Sequence, residues 1–200
     1  METGMKILVQ KFGGTSVAGL DCMKRVREKV LGALADGYKV ITVLSARAGE
    51  TNKLLALADE WSARPDPAEA DALVSTGEQV SISLFTMLLK DAGVRARSLL
   101  GWQIPVKTDD DFGRARIRAI DSDALRAFLK DYDVLVVAGF QGCTEDGRIT
   151  TLGRGGSDTS AVALVAALGS VECHIYTDVD GVYTTDPNIC STARKMDRVA

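Results

Sequence analysis

The tightest constraint on this chain lies near its start, where the apolar run Ile7-Leu8-Val9 leads into Lys11 and the pair Gly13-Gly14. The run reads as the end of a buried strand. The glycines admit a close or left-handed backbone, and Thr15 or Ser16 stands where a helix N-cap is expected. A strand that turns through glycine into a helix presents backbone N–H groups at the positive end of the helix dipole. Such a corner is a ready anion site, to which Lys11 adds a full charge, and the expected anion is a phosphate. A Gly-Gly pair after a strand is also common as a plain turn. The corner is not a Walker loop, where the lysine follows the glycines, and it lacks the GxGxxG spacing of dinucleotide sites.

From this corner the chain alternates strands and helices. Met23, Val26, Val30 and Leu34 recur at helical spacing, Asp36-Gly37 stops that helix, and Val40 to Leu44 is a continuous apolar strand, giving a βαβ unit. Ser45 and Thr51 follow at the strand's carboxyl end, where open parallel sheets bind ligands, although residues of this type also serve as caps. A helix bearing Leu54, Leu57, Ala58 and Trp61 comes next. After a break at Arg64 to Pro67 a helix resumes and reaches Ser75-Thr76-Gly77-Glu78. Ser75 and Glu78 have capping-box spacing at the head of a helix carrying Val80, Leu84, Met87 and Leu88, and pattern alone favours the cap. The alternative is that an anionic Glu78 receives a substrate ammonium group.

Arg95 to Leu100 and Ile104 to Thr108 read as short strands, Asp109 to Asp111 as a solvated loop, Asp121 to Leu129 as an amphipathic helix, and Val134 to Ala138 as a strand in the middle of a parallel sheet. Asp146-Gly147 marks a hairpin whose returning strand is Arg148 to Thr151. It leads to a second glycine corner, Gly153-Arg154-Gly155-Gly156-Ser157-Asp158, with another helix behind it. Two such corners in one small domain are far less expected by accident than one. Val171 to Thr177 is the last strand, with His174 inside it as a structural residue. The DxDG at Asp178 lacks the later ligands of a calcium loop, which leaves a polar loop for a nucleotide open.

Composition narrows the function. A net charge of −3 without a basic block provides no footprint for nucleic acid. Cys22, Cys143, Cys173 and Cys190 are scattered without a CxxC pair, which suits reduced thiols and a cytoplasmic setting better than zinc or disulfides. No apolar stretch approaches the length of a membrane span or a signal core. With 46% hydrophobic residues in 200, one domain with a real core is expected.

Taken together, KFGGTSV, the VLSA segment, STGEQVS, TTLGRGGSDTSA and YTDVDGVYTTDP resemble the aspartokinases of the amino-acid kinase superfamily over essentially the whole chain. The resemblance implies an α/β fold, a three-layer αβα sandwich around a mostly parallel sheet. It also implies transfer of the ATP γ-phosphoryl group to the side-chain carboxylate of aspartate, the first step toward lysine, threonine and methionine, with Mg2+ carried by the nucleotide. Residues 1–200 then correspond to a catalytic domain that is incomplete at its carboxyl end, without a further lysine or the regulatory ACT domains, in a cytoplasmic homo-oligomer with no membrane or nucleic-acid partner.

By the same resemblance Lys11, Phe12, Gly13 and Gly14 hold the transferring phosphates, with Asp158 orienting Lys11. Ser45, Thr51, Glu78, Arg154, Gly155 and Ser157 form the amino-acid pocket, and Thr177, Asp178, Tyr183 and Asp186 form the nucleotide loop. No dedicated metal ligands are implied. The residue types suit the chemistry: a carboxylate nucleophile is already ionised near pH 7, so the absence of a histidine base is no obstacle. Arg47 departs from the pattern, since the family usually has an apolar residue there, often methionine. The alternatives are a sibling kinase acting on glutamate, carbamate or another acid, and a nucleotide-binding fragment without turnover. In every case the two glycine corners must meet at one hollow.

Overall fold

The computed structural model describes residues 5–169, 172–177, 182–185, 189–190 and 192–196. The first apolar run forms β1 (Ile7–Phe12), which is buried along its whole length and pairs in parallel with β2 (Lys39–Leu44). Between them α1 (Leu20–Ala35) turns Met23, Val26, Val30 and Ala33 inward, and Gly37, at φ 82°, reverses the chain into β2. Neither Thr15 nor Ser16 caps α1. Both lie in a short 3-10 turn, Gly14–Val17, and the α-helix starts only after an extended Gly19.

Helices α2 (Glu50–Trp61), α3 (Pro67–Val74) and α4 (Thr76–Asp91) follow, then β3 (Ala96–Leu99). Next come β4 (Val106–Thr108), β5 (Ile117–Ile120), α5 (Ser122–Asp131), β6 (Val134–Ala138), β7 (Gln141–Cys143) and β8 (Ile149–Thr151). The order ends with α6 (Gly156–Leu168), β9 (Glu172–Tyr176), β10 (Val182–Tyr183) and β11 (Lys195–Met196). The central sheet is parallel in the order β3-β6-β2-β1-β9. On one face α1 and α4 pack Val30, Phe85 and Leu89 against Leu8, Leu44 and Val136. On the other, α5 and α6 pack Leu125, Leu129 and Leu164 against Val9, Ile41 and Val137. This is the expected three-layer sandwich, and β6, buried throughout, lies inside the sheet as its unbroken apolar run requires.

A second, mixed sheet, β5-β4-β7-β8, was not expected as a unit. Its strands are three or four residues long, too short for a period of two to register. The expected hairpin at Gly147 (φ 87°) joins β7 to β8.

Helix α4 corrects two expectations. Ser75 makes no side-chain cap. It keeps right-handed helical angles, and its hydroxyl donates to the Ala72 carbonyl, so α3 and α4 run on as 25 helical residues, Pro67–Asp91. By length and composition that span is apolar enough to cross a membrane, contrary to expectation, yet half of its most apolar window is buried in this fold. The helix also carries two rival apolar stripes. Ile82, Phe85 and Leu89 face the core, while Val80, Leu84 and Met87 stand outside. The inner stripe continues the side bearing Glu78 at i, i+4, i+7 and i+11, and that side is drawn inward by the close fit of Gly77 on Ala46.

At the amino-terminal edge of the sheet, Asp133 ties three strands. Arg95, before β3, donates to both of its oxygens at 2.9 and 2.8 Å, and Lys39 of β2 donates at 2.9 Å. Arg95 first, and Lys39 with it, hold the Asp133 carboxyl down at about 2 against its partial burial. A depressed carboxylate stabilises the fold above its unfolded pKa near 4 and loses that contribution as pH falls toward 2. Because Arg95 is largely exposed, screening leaves the clamp worth about 1 kcal/mol. Asp133→Asn is expected to lower urea-unfolding stability by about that amount at pH 7, with the gap to wild type closing between pH 4 and pH 2.

Candidate functional site

The carboxyl ends of β1, β2 and β6 open on one hollow of about 640 Å³. The chain leaves β2 toward β3 on one side and leaves the adjacent β6, through α6, toward β9 on the other, and a crevice at such a switch point is where open α/β sheets bind ligands. The two glycine corners meet here. Lys11, at the end of β1, reaches Asp158 in the first turn of α6 at 2.8 Å. The lysine side chain is 10% exposed and the aspartate 49%. The contact is an ion pair lying off hydrogen-bond angles, so the ammonium keeps donors for another partner.

Each corner is closed by backbone contact. A Cβ on Gly14 would stand 2.7 Å from the Ala46 carbonyl oxygen, so the first corner lies directly on the segment leaving β2. Ala48 N donates to Gly14 O at 3.2 Å and Ser45 N to Phe12 O at 3.2 Å. The second corner turns through Gly153 and Gly155, at φ 74° and 71°, into α6. Gly156 N and Asp158 N donate back into this turn. The Ser157 amide has no backbone acceptor among the described residues, so it remains available to an anion at the helix N-terminus.

The opposite wall carries a buried acid. Glu78 is 3% exposed and accepts from Ala46 N at 2.8 Å through Oε1, while Oε2 has no partner among the described residues. Burial pushes its carboxyl up to about 7, although the amides of Ala46 and of Glu78 itself pull the other way. Arg154 is exposed on the rim and has no carboxylate partner among the described residues. One hollow thus holds a buried carboxylate oxygen with spare capacity, an unpaired guanidinium and a half-committed lysine. Those features are complementary to a ligand carrying both an ammonium and anionic groups.

Of the residues singled out from sequence, Lys11, Ser45, Thr51, Glu78, Arg154, Gly155, Ser157 and Asp158 line this hollow. Phe12, Gly13 and Gly14 do not. The Phe12 ring is buried and stacks on Tyr176 at 4.5 Å, so only the backbone at the corner remains for a ligand. Thr177 is exposed just beyond β9, outside the lining, and the Tyr183 backbone lies in the β10-β11 ribbon. Asp178 and Asp186 lie outside the described residues. Arg47 pairs loosely with Glu50 at 3.5 Å and is not part of the wall.

Sequence reasoning missed Asn52, Leu55, Gly113 and Phe140, all of which line the hollow. Phe140 had a readable signal in its flanking glycines, and its φ of 68° is the one left-handed non-glycine backbone among the described residues. Gly113 arrives from a distant loop that no local pattern connects to the site.

A family model described as the amino acid kinase family matches residues 6–200. The chain is 53% identical to an aspartate kinase of Pseudomonas putida over 195 residues, covering 98% of this chain and 47% of that protein. It is 50% identical to an aspartokinase of Geobacillus stearothermophilus, covering 98% and 48%. The chain therefore spans about half the length of the curated relatives it matches. Among solved structures, E. coli aspartokinase III in complex with aspartate and ADP superposes with a TM-score of 0.83 at 34% identity, covering 96% of this chain and 54% of that one. An aspartate kinase from Synechocystis superposes at 0.76 with 43% identity, covering 94% and 31%.

Glu78 gives the site a pH signature of its own. A carboxyl raised in the folded state keeps its proton to higher pH than the unfolded chain does, so stability is greatest below about 4.5, falls as pH rises toward 7 and then levels. The expected loss is up to about 3 kcal/mol. Glu78→Gln should flatten this limb in chemical unfolding measured from pH 4.5 to 8. A wild-type limb as flat as the variant's would contradict the burial argument.

Proposed function

The chain belongs to the amino acid kinase family, and from that premise we propose that it is the catalytic part of an aspartate kinase. In this reading the ATP γ-phosphoryl group passes to the β-carboxylate of L-aspartate. The observation that carries the reading is the pairing, across one hollow, of the spare Glu78 oxygen with the Arg154 guanidinium and Lys11. Glu78 would take the α-ammonium, and Arg154 would take the α-carboxylate through its planar fork, with Ser45, Thr51, Gly155 and Ser157 completing the polar lining. That arrangement leaves the β-carboxylate of a short amino acid facing Lys11.

The attacking group is an anion at neutral pH and needs no general base, so the difficulty is repulsion between it and the triphosphate. Two unit charges ~4 Å apart repel by about 4 kcal/mol at an effective dielectric of 20. Lys11 stands between the two corners to offset this, and Asp158 fixes its ammonium without removing its charge. The Ser157 amide and the Gly13-Gly14 backbone add dipoles that need no reorganisation during transfer. No cluster of three or more His, Cys, Asp or Glu occurs among the described residues. Magnesium would enter on the nucleotide phosphates, where it would supply charge neutralisation. Thr177, Asp178, Tyr183 and Asp186 remain our proposed nucleotide contacts, and a homo-oligomer in the cytoplasm remains the proposed setting.

The test is aspartate-dependent ADP release, with the acyl phosphate trapped by hydroxylamine, across a panel of aspartate, glutamate, succinate and carbamate. Aspartate alone should support turnover at low millimolar concentration. Lys11→Ala is expected to lower kcat by at least 100-fold, equivalent to about 2.7 kcal/mol, without a matching change in the far-ultraviolet circular dichroism. Preference for another acid would transfer the reading to a sibling kinase. Because the chain spans half of its relatives, nucleotide binding without acyl phosphate would instead mark it as a binding portion whose transfer step needs further residues.

A second expectation follows from Glu78. An ammonium beside it favours the charged form, so below pH 7 the bound substrate must displace a proton. The apparent Kd for aspartate should rise about tenfold per pH unit from 7 down toward 4.5. Succinate, which lacks the ammonium, should show no such dependence by calorimetry.

A further inference from the structure

Asp71 is a buried acid that lies outside the hollow, 3% exposed, on the inner side of α3. It accepts three hydrogen bonds, from Thr151 N at 2.7 Å, Thr151 Oγ1 at 2.7 Å and Gly113 N at 2.9 Å. Charge-assisted bonds of this length to a dehydrated carboxylate are strong, and among the described residues no cation pairs with Asp71.

Both donors lead to the pocket. Gly113 is part of its wall, and Thr151 ends β8 two residues before Gly153. The two donor segments are also joined to each other, because Ala115 N donates to Thr151 O at 2.8 Å. A Cβ on Gly153 would lie 3.3 Å from the Gly113 carbonyl oxygen. Asp71 therefore clamps the loop around Gly113 onto the strand that delivers Arg154.

The same helical span carries Glu78, seven residues later, about 10 Å along the axis. Between them the Ser75 carbonyl accepts from Gln141 Nε2 of β7 at 3.2 Å. One rigid rod is thus bolted to β8 by Asp71, to β7 by Ser75 and to the end of β2 by Glu78.

We propose that Asp71 is a positioning residue that holds the Arg154 corner in register with Glu78, and so seats the α-ammonium and α-carboxylate of the amino acid together. The inference deepens the aspartate-site reading and rests on it. Asp71 touches no substrate. Losing it should loosen the amino-acid end of the hollow and leave the nucleotide end, built from β1 and α6, unchanged.

The experiment compares Asp71→Asn, Thr151→Val and Thr151→Ser with wild type. Asp71→Asn leaves one amide oxygen for the two N–H groups and removes the charge that strengthens all three bonds. It should raise the KM for aspartate at least tenfold, with kcat within threefold and the KM for ATP within twofold. Thr151→Val keeps the β-branched shape and removes one donor, so it should show the same split at three- to fivefold, and Thr151→Ser should restore wild-type values. Hydrogen exchange at residues 112–116 and 151–155 should quicken at least tenfold in the Asn and Val variants while β1 and β2 keep their protection. Equal rises in both KM values, or loss of kcat without the split, would make Asp71 a general scaffold residue and overturn the proposal. If wild type takes no aspartate, the substrate reading fails, and exchange alone decides the clamp: unchanged protection at those residues overturns it. Should Asp71→Asn fail to fold, the Thr151 pair decides in the same way.

Discussion

The architecture depends on how closely four backbone segments approach one another at the carboxyl ends of the strands. Gly14 lies on the Ala46 carbonyl, Gly77 on the Ala46 methyl, Gly139 on Ser157 and Gly156 on the Phe140 ring, each with less than 3.0 Å for an added Cβ. A side chain at any of these positions would have to displace backbone or a packed ring. These contacts bring the first corner, the head of α4 and the second corner onto a common rim, and only then do Lys11, Glu78 and Arg154 face one space. The cores on the two faces of the sheet supply the stability that holds such a rim.

The same closeness explains the electrostatics. Ala46 stands on Gly14 on one side and on Gly77 on the other, and its amide, together with that of Glu78 itself, acts on the Glu78 carboxyl. Two neutral amides do not restore the hydration lost on burial, so the acid is raised rather than lowered. Asp71, on the same rod, is buried as deeply but takes three donors. The contrast assigns different work to two carboxylates seven residues apart. Under the proposed reading the one with three donors is structural, and the one left with a bare oxygen receives the ligand.

Most of the central sheet was legible because its strands are unbroken apolar runs and its turns carry glycine at positive φ. The second corner was legible for the same reason and the first because a glycine pair marks close backbone approach, here Gly14 on Ala46 without positive φ, and their convergence follows from the parallel sheet between them. The small mixed sheet was not, because strands of three residues carry no measurable period. The inner face of α4 was misjudged for another reason: two apolar stripes were available, and the choice between them was made by Gly77 and Glu78 docking on Ala46, a tertiary contact with no local trace. Glu78 itself was weighed as a cap from its spacing with Ser75. The backbone instead runs through Ser75 without a break, which releases the carboxylate from capping and turns it into the core.

An acid with an unfilled oxygen also bears on selectivity under the proposed reading. A dicarboxylate without an ammonium group would place its own negative charges near Glu78 with nothing to compensate them, and would leave the buried oxygen unpartnered. Rejection of that kind relies on a buried group left unsatisfied, which discriminates more sharply than added contact area does. Length selection then falls to the distance from that seat to Lys11, since Glu78 and Arg154 both hold groups on the α-carbon. A longer acid such as glutamate could satisfy both and still fail, because its side-chain carboxylate would overrun the position Lys11 commands. Under that reading the α3-α4 rod and the Arg154 corner set the seat and Lys11 sets the place of attack, so substrate choice and catalysis rest on different residues of one rim.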